Sequence, residues 1–227
     1  ISKNSPVLFG RYVIGVVESV GKSQSRVRLI TSSSLTPAVR AVRGSIQNRE
    51  MLELIDSILL HLNFSQEKLF TKEKVKHFYE VLGEIQEGLY KERGESYLAK
   101  GELSGTSAPL WRSRCNHLKG VGFNYDFSDD EGPARELTSG SELNELSRKE
   151  SFDLIAVGDI LISSGLDGVF PGGLPIAVVT AVAPLEEGAF SYTINARLLA
   201  GDLDEIDHVR VLPPLFSSKE HDEKNLN

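Results

Sequence analysis

Cysteine is almost absent. Cys115 is the single one among 227 residues, which excludes an intrachain disulfide and any cysteine-rich zinc site. No apolar run approaches the ~20 residues of a membrane-spanning helix. No signal-peptide pattern stands at the start, and the chain opens on Ile1 rather than Met, as a processed or truncated chain would. The five histidines are scattered. His61 and His77 lie in helical stretches, His221 in the tail, and His117 and His208 have no arrangement around them that marks a base. His-Glu-x-x-His does not occur, and Asp202, Asp204, Glu205 and Asp207 lack the glycine and spacing of a calcium loop. Neither Gly-x-x-x-x-Gly-Lys nor a helix-opening Gly-x-Gly-x-x-Gly is present, so phosphate cradling has no support, and neither is the Gly-x-Ser-x-Gly nucleophile elbow. With a net charge of −7 and no basic stripe interleaved with aromatics, nucleic acid is a poor partner. The expectation is therefore no catalytic, metal-binding or cofactor-binding residue.

What is there reads as a globular chain rich in sheet. Hydrophobic residues make up 40%, enough for one large or two modest cores. From Ile1 to Gly44, seven basic residues face one acid, Glu18; from Ser151 to Phe216, nine acids face Arg197 and Arg210. These opposite charges can attract one another, within one molecule or between copies.

The stretch that organises the chain is Leu154 to Val182, two β-branched runs joined by a turn. Read as a hairpin, it puts Val157, Ile160 and Ile162 before the bend and Ile176, Val178 and Val179 after it. Gly165, Gly168, Gly172 and Gly173 permit positive φ or close backbone approach, while Pro171 and Pro175 fix φ, so the loop is stiff. Phe170 and Leu174 are the large apolar residues of that loop. They either meet a partner at low entropic cost, or Phe170 folds back to plug the end of its own barrel. Gly165, Leu166, Gly168, Phe170, Pro171 and Leu174 are thus the candidate interaction or structural loop.

Upstream, Tyr12 to Val17, Arg26 to Ile30 and Pro37 to Val42 read as three short strands of a meander or small barrel. The period changes at Gly44. Met51, Leu52, Ile55, Ile58, Leu59 and Leu62 recur at helical spacing, and so do Val75, Phe78, Leu82, Ile85 and Leu89. Asn63 is the expected end of the first helix, Thr71 the cap of the second and Gly94 its stop. The stripes pack on each other or on the sheet, or they form a partner-binding surface. Sheet resumes around Gly101 to Gly105, Trp111, and Val121 to Phe127, then again at Phe190 to Ala196 and Val209 to Leu212. The fold class is mainly β: two small β-barrel-like domains with a helical hairpin inserted in the first. The expected boundaries are a first β domain at 1–127 with the insertion at about 45–94, a flexible connector at 128–150, a second β domain at 151–216 and a disordered tail at 217–227.

Val157-Gly-Asp-Ile-Leu-Ile-Ser-Ser-Gly-Leu-Asp-Gly-Val-Phe-Pro-Gly-Gly-Leu-Pro-Ile-Ala-Val-Val resembles the signature of the MreC family of bacterial rod-shape-determining proteins. Gly15-Val-Val-Glu-Ser-Val-Gly21, Ser25-Arg-Val-Arg-Leu-Ile-Thr31, Pro37-Ala-Val-Arg40, Gly101 to Gly105 and Val209 to Leu212 resemble its other motifs, in order. Three departures stand out. Ala177 replaces the family's usual Gly and Ser32 its usual Asp; the helical segment interrupts the first β region; and the family's membrane helix, coiled coil and earliest strands would precede Ile1.

The resemblance implies a non-enzymatic scaffold of cell-shape and wall-elongation machinery on the periplasmic side of the cytoplasmic membrane, anchored by a segment upstream of this chain. It implies self-association, and contacts with MreD, with the rod-complex penicillin-binding transpeptidase and, indirectly, with MreB. It implies no cofactor. Two other readings stand beside it: a two-barrel serine hydrolase using Ser163 or Ser164, and a saccharide-binding module with Trp111, Tyr125 and Phe127 as its platform. The inserted helices are a candidate for the association surface that the absent coiled coil would give.

Overall fold

The computed structural model describes residues 1–69, 71–91, 95–106, 116–125 and 153–215. Trp111, Cys115, Phe127, the connector and the tail lie outside them. Two compact units result, Ile1–Ala41 with Tyr97–Asn227 and, separately, Val42–Ser96.

In the first unit, β1 (Pro6–Phe9), β2 (Tyr12–Val20) and β3 (Ser25–Leu29) form an antiparallel meander, and β10 (Arg210–Val211) adds to β1 to give the order β10-β1-β2-β3. The register pairs Val7 with Val211 and Leu8 with Arg210, so an early and a late strand of the chain meet in one sheet. β2 is buried through Val13–Val17, because its run of apolar residues leaves no wet parity. β1 escaped the sequence reading: four residues led by a proline give too short a pattern, and Pro6 sits where a strand tolerates it, at the first position.

The second β body is a closed barrel of order β4-β5-β6-β9-β8-β7, from β4 (Ala38–Gly44), β5 (Glu95–Gly105), β6 (His117–Tyr125), β7 (Ile160–Ser163), β8 (Pro175–Val182) and β9 (Tyr192–Leu198). Among the described residues the mainly-β fold with an inserted helical hairpin is thus realised as a closed barrel, a four-stranded sheet and two α-helices. Strand pairing crosses the expected domain boundary: β4, β5 and β6 close the barrel with β7, β8 and β9, while the late strand β10 joins the early sheet. Hydrogen bonding is indifferent to chain order, so no local pattern shows this.

Sheet and barrel share one apolar core, from Val7, Val13 and Val17 to Leu103, Phe123, Phe170 and Ile194. Phe123 lies over Gly101 and Gly120. A Cβ at either would come within 2.7 Å of its ring, so the two glycines make the slot the ring fills. A Cβ at Gly105 would fall 1.6 Å from the Thr31 carbonyl oxygen, so only glycine lets β5 end against that turn. Within the turn Ser32 Oγ accepts from Ser34 N at 3.3 Å, a role that suits Ser or Asp alike.

Two expected faces change. Val157 is 66% exposed in a turn before β7 rather than in the strand. Phe190 is 82% exposed, and β9 begins only at Tyr192.

The second unit is the hairpin of α1 (Ser45–Leu69) and α2 (Lys72–Lys91). α1 runs past Asn63, because Gln66, Glu67, Lys68 and Leu69 all favour helix and one asparagine does not end it. Thr71 opens α2, its carbonyl accepting from Val75 N at 3.1 Å.

Candidate functional site

The loop between β7 and β8, residues 164–174, is held by its own polar side chains. Ser163 is 1% exposed. Its hydroxyl donates to the Pro171 carbonyl and accepts from Leu174 N at 2.9 Å. Backbone bonds from Ser163 N to Leu174 O, 2.9 Å, and from Gly173 N to Ser163 O, 2.8 Å, close the base of the loop. Asp167 organises the tip: Oδ1 accepts from Val169 N at 2.9 Å and Phe170 N at 3.0 Å, and Oδ2 accepts from Ala38 N at 3.2 Å. A short carboxylate two and three residues before these N–H groups forms such a turn readily. Ser164 ties the loop to the same place, its N and Oγ both donating to the Ala38 carbonyl at 2.9 and 3.0 Å.

Gly165 and Gly168 adopt φ of +80° and +68°, which a side chain at either would strain. Gly172 approaches so closely that a Cβ there would lie 3.3 Å from the Ser164 carbonyl oxygen.

This arrangement sorts the candidate residues. Phe170 is fully buried and belongs to the shared core, which is the inward-folding one of its two alternatives. Asp167, through its bond to Phe170 N, fixes the backbone there. Leu174 and Val169 are half-buried against the core. Leu166 is 66% exposed, held by its N–H on Ser164 Oγ at 3.2 Å. The loop therefore displays one large apolar side chain on a framework of fixed backbone.

Asp159, just before β7, is also buried, and its Oδ2 accepts from Ala156 N at 2.8 Å. Sequence reasoning found the glycines and prolines here but missed Asp167 and Asp159. For Asp167 the signal was present as Asp followed by Gly168, a turn pair; Asp159, between Gly158 and Ile160, carries no such pair.

Among the described residues no histidine is hydrogen-bonded to Ser163 or Ser164, whose hydroxyls donate to Pro171 O and Ala38 O. His208 packs edge-on to Phe9 at 6.0 Å between ring centroids. Among the described residues no cluster of His, Cys, Asp or Glu could hold a metal ion. Asp202 caps a short 3-10 turn, accepting from Asp204 N at 3.2 Å. Of the saccharide platform, Trp111 and Phe127 lie outside the described residues.

On the sheet, Glu18 and Arg28 face each other across β2 and β3 at 2.6 Å. The hydrogen bond from Arg28 holds the Glu18 carboxyl below its ordinary value, with further help from the charges of Arg28, Arg26 and Lys3. A groove lies at the β2–β3 turn, lined by Ser19, Val20, Gly21, Gln24, Ser25 and Arg26, and carries neither a histidine nor a carboxylate.

Residues 116–213 match the family described as rod shape-determining protein MreC, barrel core. Curated proteins give no match of comparable strength. Among solved structures, the chain resembles MreC from Pseudomonas aeruginosa at 17% identity, covering 94% of this chain and 81% of that one with a TM-score of 0.46. Another MreC structure is 16% identical, with 94% and 72% covered and a TM-score of 0.48. A complex between a penicillin-binding protein (PBP2) and MreC from Helicobacter pylori contains a chain 13% identical, with 93% and 79% covered and a TM-score of 0.43.

Proposed function

Starting from residues 116–213 as an MreC-type barrel core, we propose that this chain is a scaffold of the cell-shape and wall-elongation machinery. It works on the periplasmic side of the cytoplasmic membrane, binds proteins through rigid β surfaces and catalyses nothing. The partner class is a penicillin-binding transpeptidase of the rod complex, in keeping with the complex formed by the Helicobacter pylori relative. MreD, and through it MreB, belong to the same assembly.

The observation that carries this reading is the 163–174 loop. Ser163, Ser164 and Asp167 are engaged in hydrogen bonds to its own backbone and to Ala38, so the loop's chemistry fixes shape. What it offers outward is Leu166. A large apolar side chain on a backbone already immobilised loses little entropy on docking, and such anchors dominate interface energies. The same bonds weigh against a serine nucleophile: Ser163 Oγ is buried and donates to a carbonyl, where a nucleophile needs a base.

Leu166→Asp tests the proposal. Binding of the chain to the periplasmic part of a rod-complex penicillin-binding protein should weaken roughly tenfold or more, with the thermal melt unchanged. Equal affinity for the variant would remove the loop from the interface. Labelling of either serine by a serine-directed covalent probe would restore the hydrolase reading.

A further inference from the structure

The α1/α2 hairpin buries only one of its two apolar stripes. Its seam is a heptad series. Asn48, Leu52, Ile55, Leu59 and Leu62 on α1, and Val75, Tyr79, Leu82, Gln86 and Leu89 on α2, alternate steps of four and three and are buried or half-buried. Cross-links fix the helices as antiparallel. Asn48 Nδ2 donates to Leu89 O at 3.3 Å, and Tyr79 OH donates to Leu59 O at 3.3 Å. At every seam pair, then, the two residue numbers sum to 137 or 138.

A second stripe flanks the first on each helix: Met51, Leu54 and Ile58 on α1, and Phe78, Val81 and Ile85 on α2, all exposed, from 38% at Val81 to 65% at Leu54. Equivalent flanks of an antiparallel pair lie on the same side of the seam. The six residues therefore make one face. Met51 with Ile85, Leu54 with Val81 and Ile58 with Phe78 have numbers summing to 135 or 136, within about 4 Å of level at 1.5 Å of rise per residue. The face is three apolar rungs, bounded by Gln47 and Gly88 at one end and by His61 and Lys74 at the other.

We infer that this face is an interface between two copies of the chain, whose hairpins join as an antiparallel four-helix bundle. The argument is self-complementarity. A two-fold axis parallel to the helices keeps every rung at its own level, so each two-residue rung meets its own copy and becomes a four-residue core layer. The same operation lays α1 over the partner's α2, and every neighbouring helix pair then runs antiparallel, the arrangement of up-down-up-down bundles and the one helix dipoles favour. With its polar ends, the five-rung face spans about 21 Å of helix and about 20 Å across two helices. A pair would bury on the order of 1,000 Å² in all, just at the threshold of a specific interface. The dimer is accordingly concentration-dependent. It uses the unit that the Leu166 proposal does not, so either can fail alone.

Sedimentation equilibrium over a concentration series is the test, run on the 227-residue chain and on a Leu54→Lys/Val81→Lys variant. The expected result is a monomer–dimer equilibrium whose dissociation constant rises roughly 100-fold in the variant, with far-ultraviolet circular dichroism unchanged. A parent chain still monomeric at about 1 mM, or a variant that dimerises equally well, overturns the inference. In the first case the face belongs to a different protein. Disulfide trapping covers the event that the double variant misfolds. On a Cys115→Ser background, Leu54→Cys mixed with Val81→Cys should give crossed dimers faster than either variant gives alone. A preference for like pairs would overturn the arrangement.

Discussion

The loop at residues 164–174 and the helical hairpin both carry large apolar residues, yet they treat them in opposite ways. In the loop, polar side chains fold back onto the backbone and Phe170 turns inward, leaving Leu166 as the displayed residue. Among the described residues the hairpin is two helices, of which one stripe closes the seam while the other stays exposed. A closed barrel gives each strand two hydrogen-bonded neighbours and an inside. A pair of helices gives each helix one neighbour, too few to cover two stripes. Rigidity in the first case and incompleteness in the second are both routes to binding.

The sharpest way to break this contrast is at Phe170. Phe170→Ala should cost about 3–5 kcal/mol of stability in a urea titration of the β unit, because the side chain is wholly inside the shared core. A loss below about 1 kcal/mol would mean the ring is not part of that core. Next in size is Asp167→Ala, which strips acceptors from Val169 N, Phe170 N and Ala38 N. We expect a loss of roughly 1–3 kcal/mol, accompanied by weaker binding through Leu166; binding at full strength would show that the loop's rigidity is irrelevant to docking.

Ile58→Lys should change monomer stability by less than about 0.5 kcal/mol, read from melts at high dilution, since Ile58 is on the exposed stripe. A large loss would place Ile58 in the seam after all. The smallest effect concerns Glu18, whose carboxyl is held below its ordinary value first by the hydrogen bond from Arg28. A depressed folded-state pKa contributes stability above the unfolded value and loses it as pH falls through the folded one. Glu18→Gln should therefore flatten slightly the decline of stability below about pH 4.5 and leave the neutral range almost unaltered. Parallel acid profiles for the two proteins would discount the pair.

Much of this was legible in the chain. The glycines and prolines of 163–174 marked a stiff loop, because φ limits are properties of single residues. The helical stripes were visible for the same kind of reason, since their period is written in neighbouring positions. Phe170 was not legible in this way. Its spacing suits either a plug or an anchor, and what decides is an Asp167 hydrogen bond together with the core formed by distant strands. Val157 and Phe190 were misjudged because a β-branched or aromatic residue beside a strand looks like one within it.

Sequence by itself determined the elements whose forces are local: the strands with their alternation, the turn-forming pairs, and the two helices with their heptad seam. Tertiary structure alone decided which strands share a sheet. β10 pairs with β1 across nearly the whole chain, and β4 closes a barrel with β7. It also decided which apolar residues find cover. Those outcomes depend on hydrogen bonds and contacts between residues more than a hundred positions apart, where no local period can carry the information.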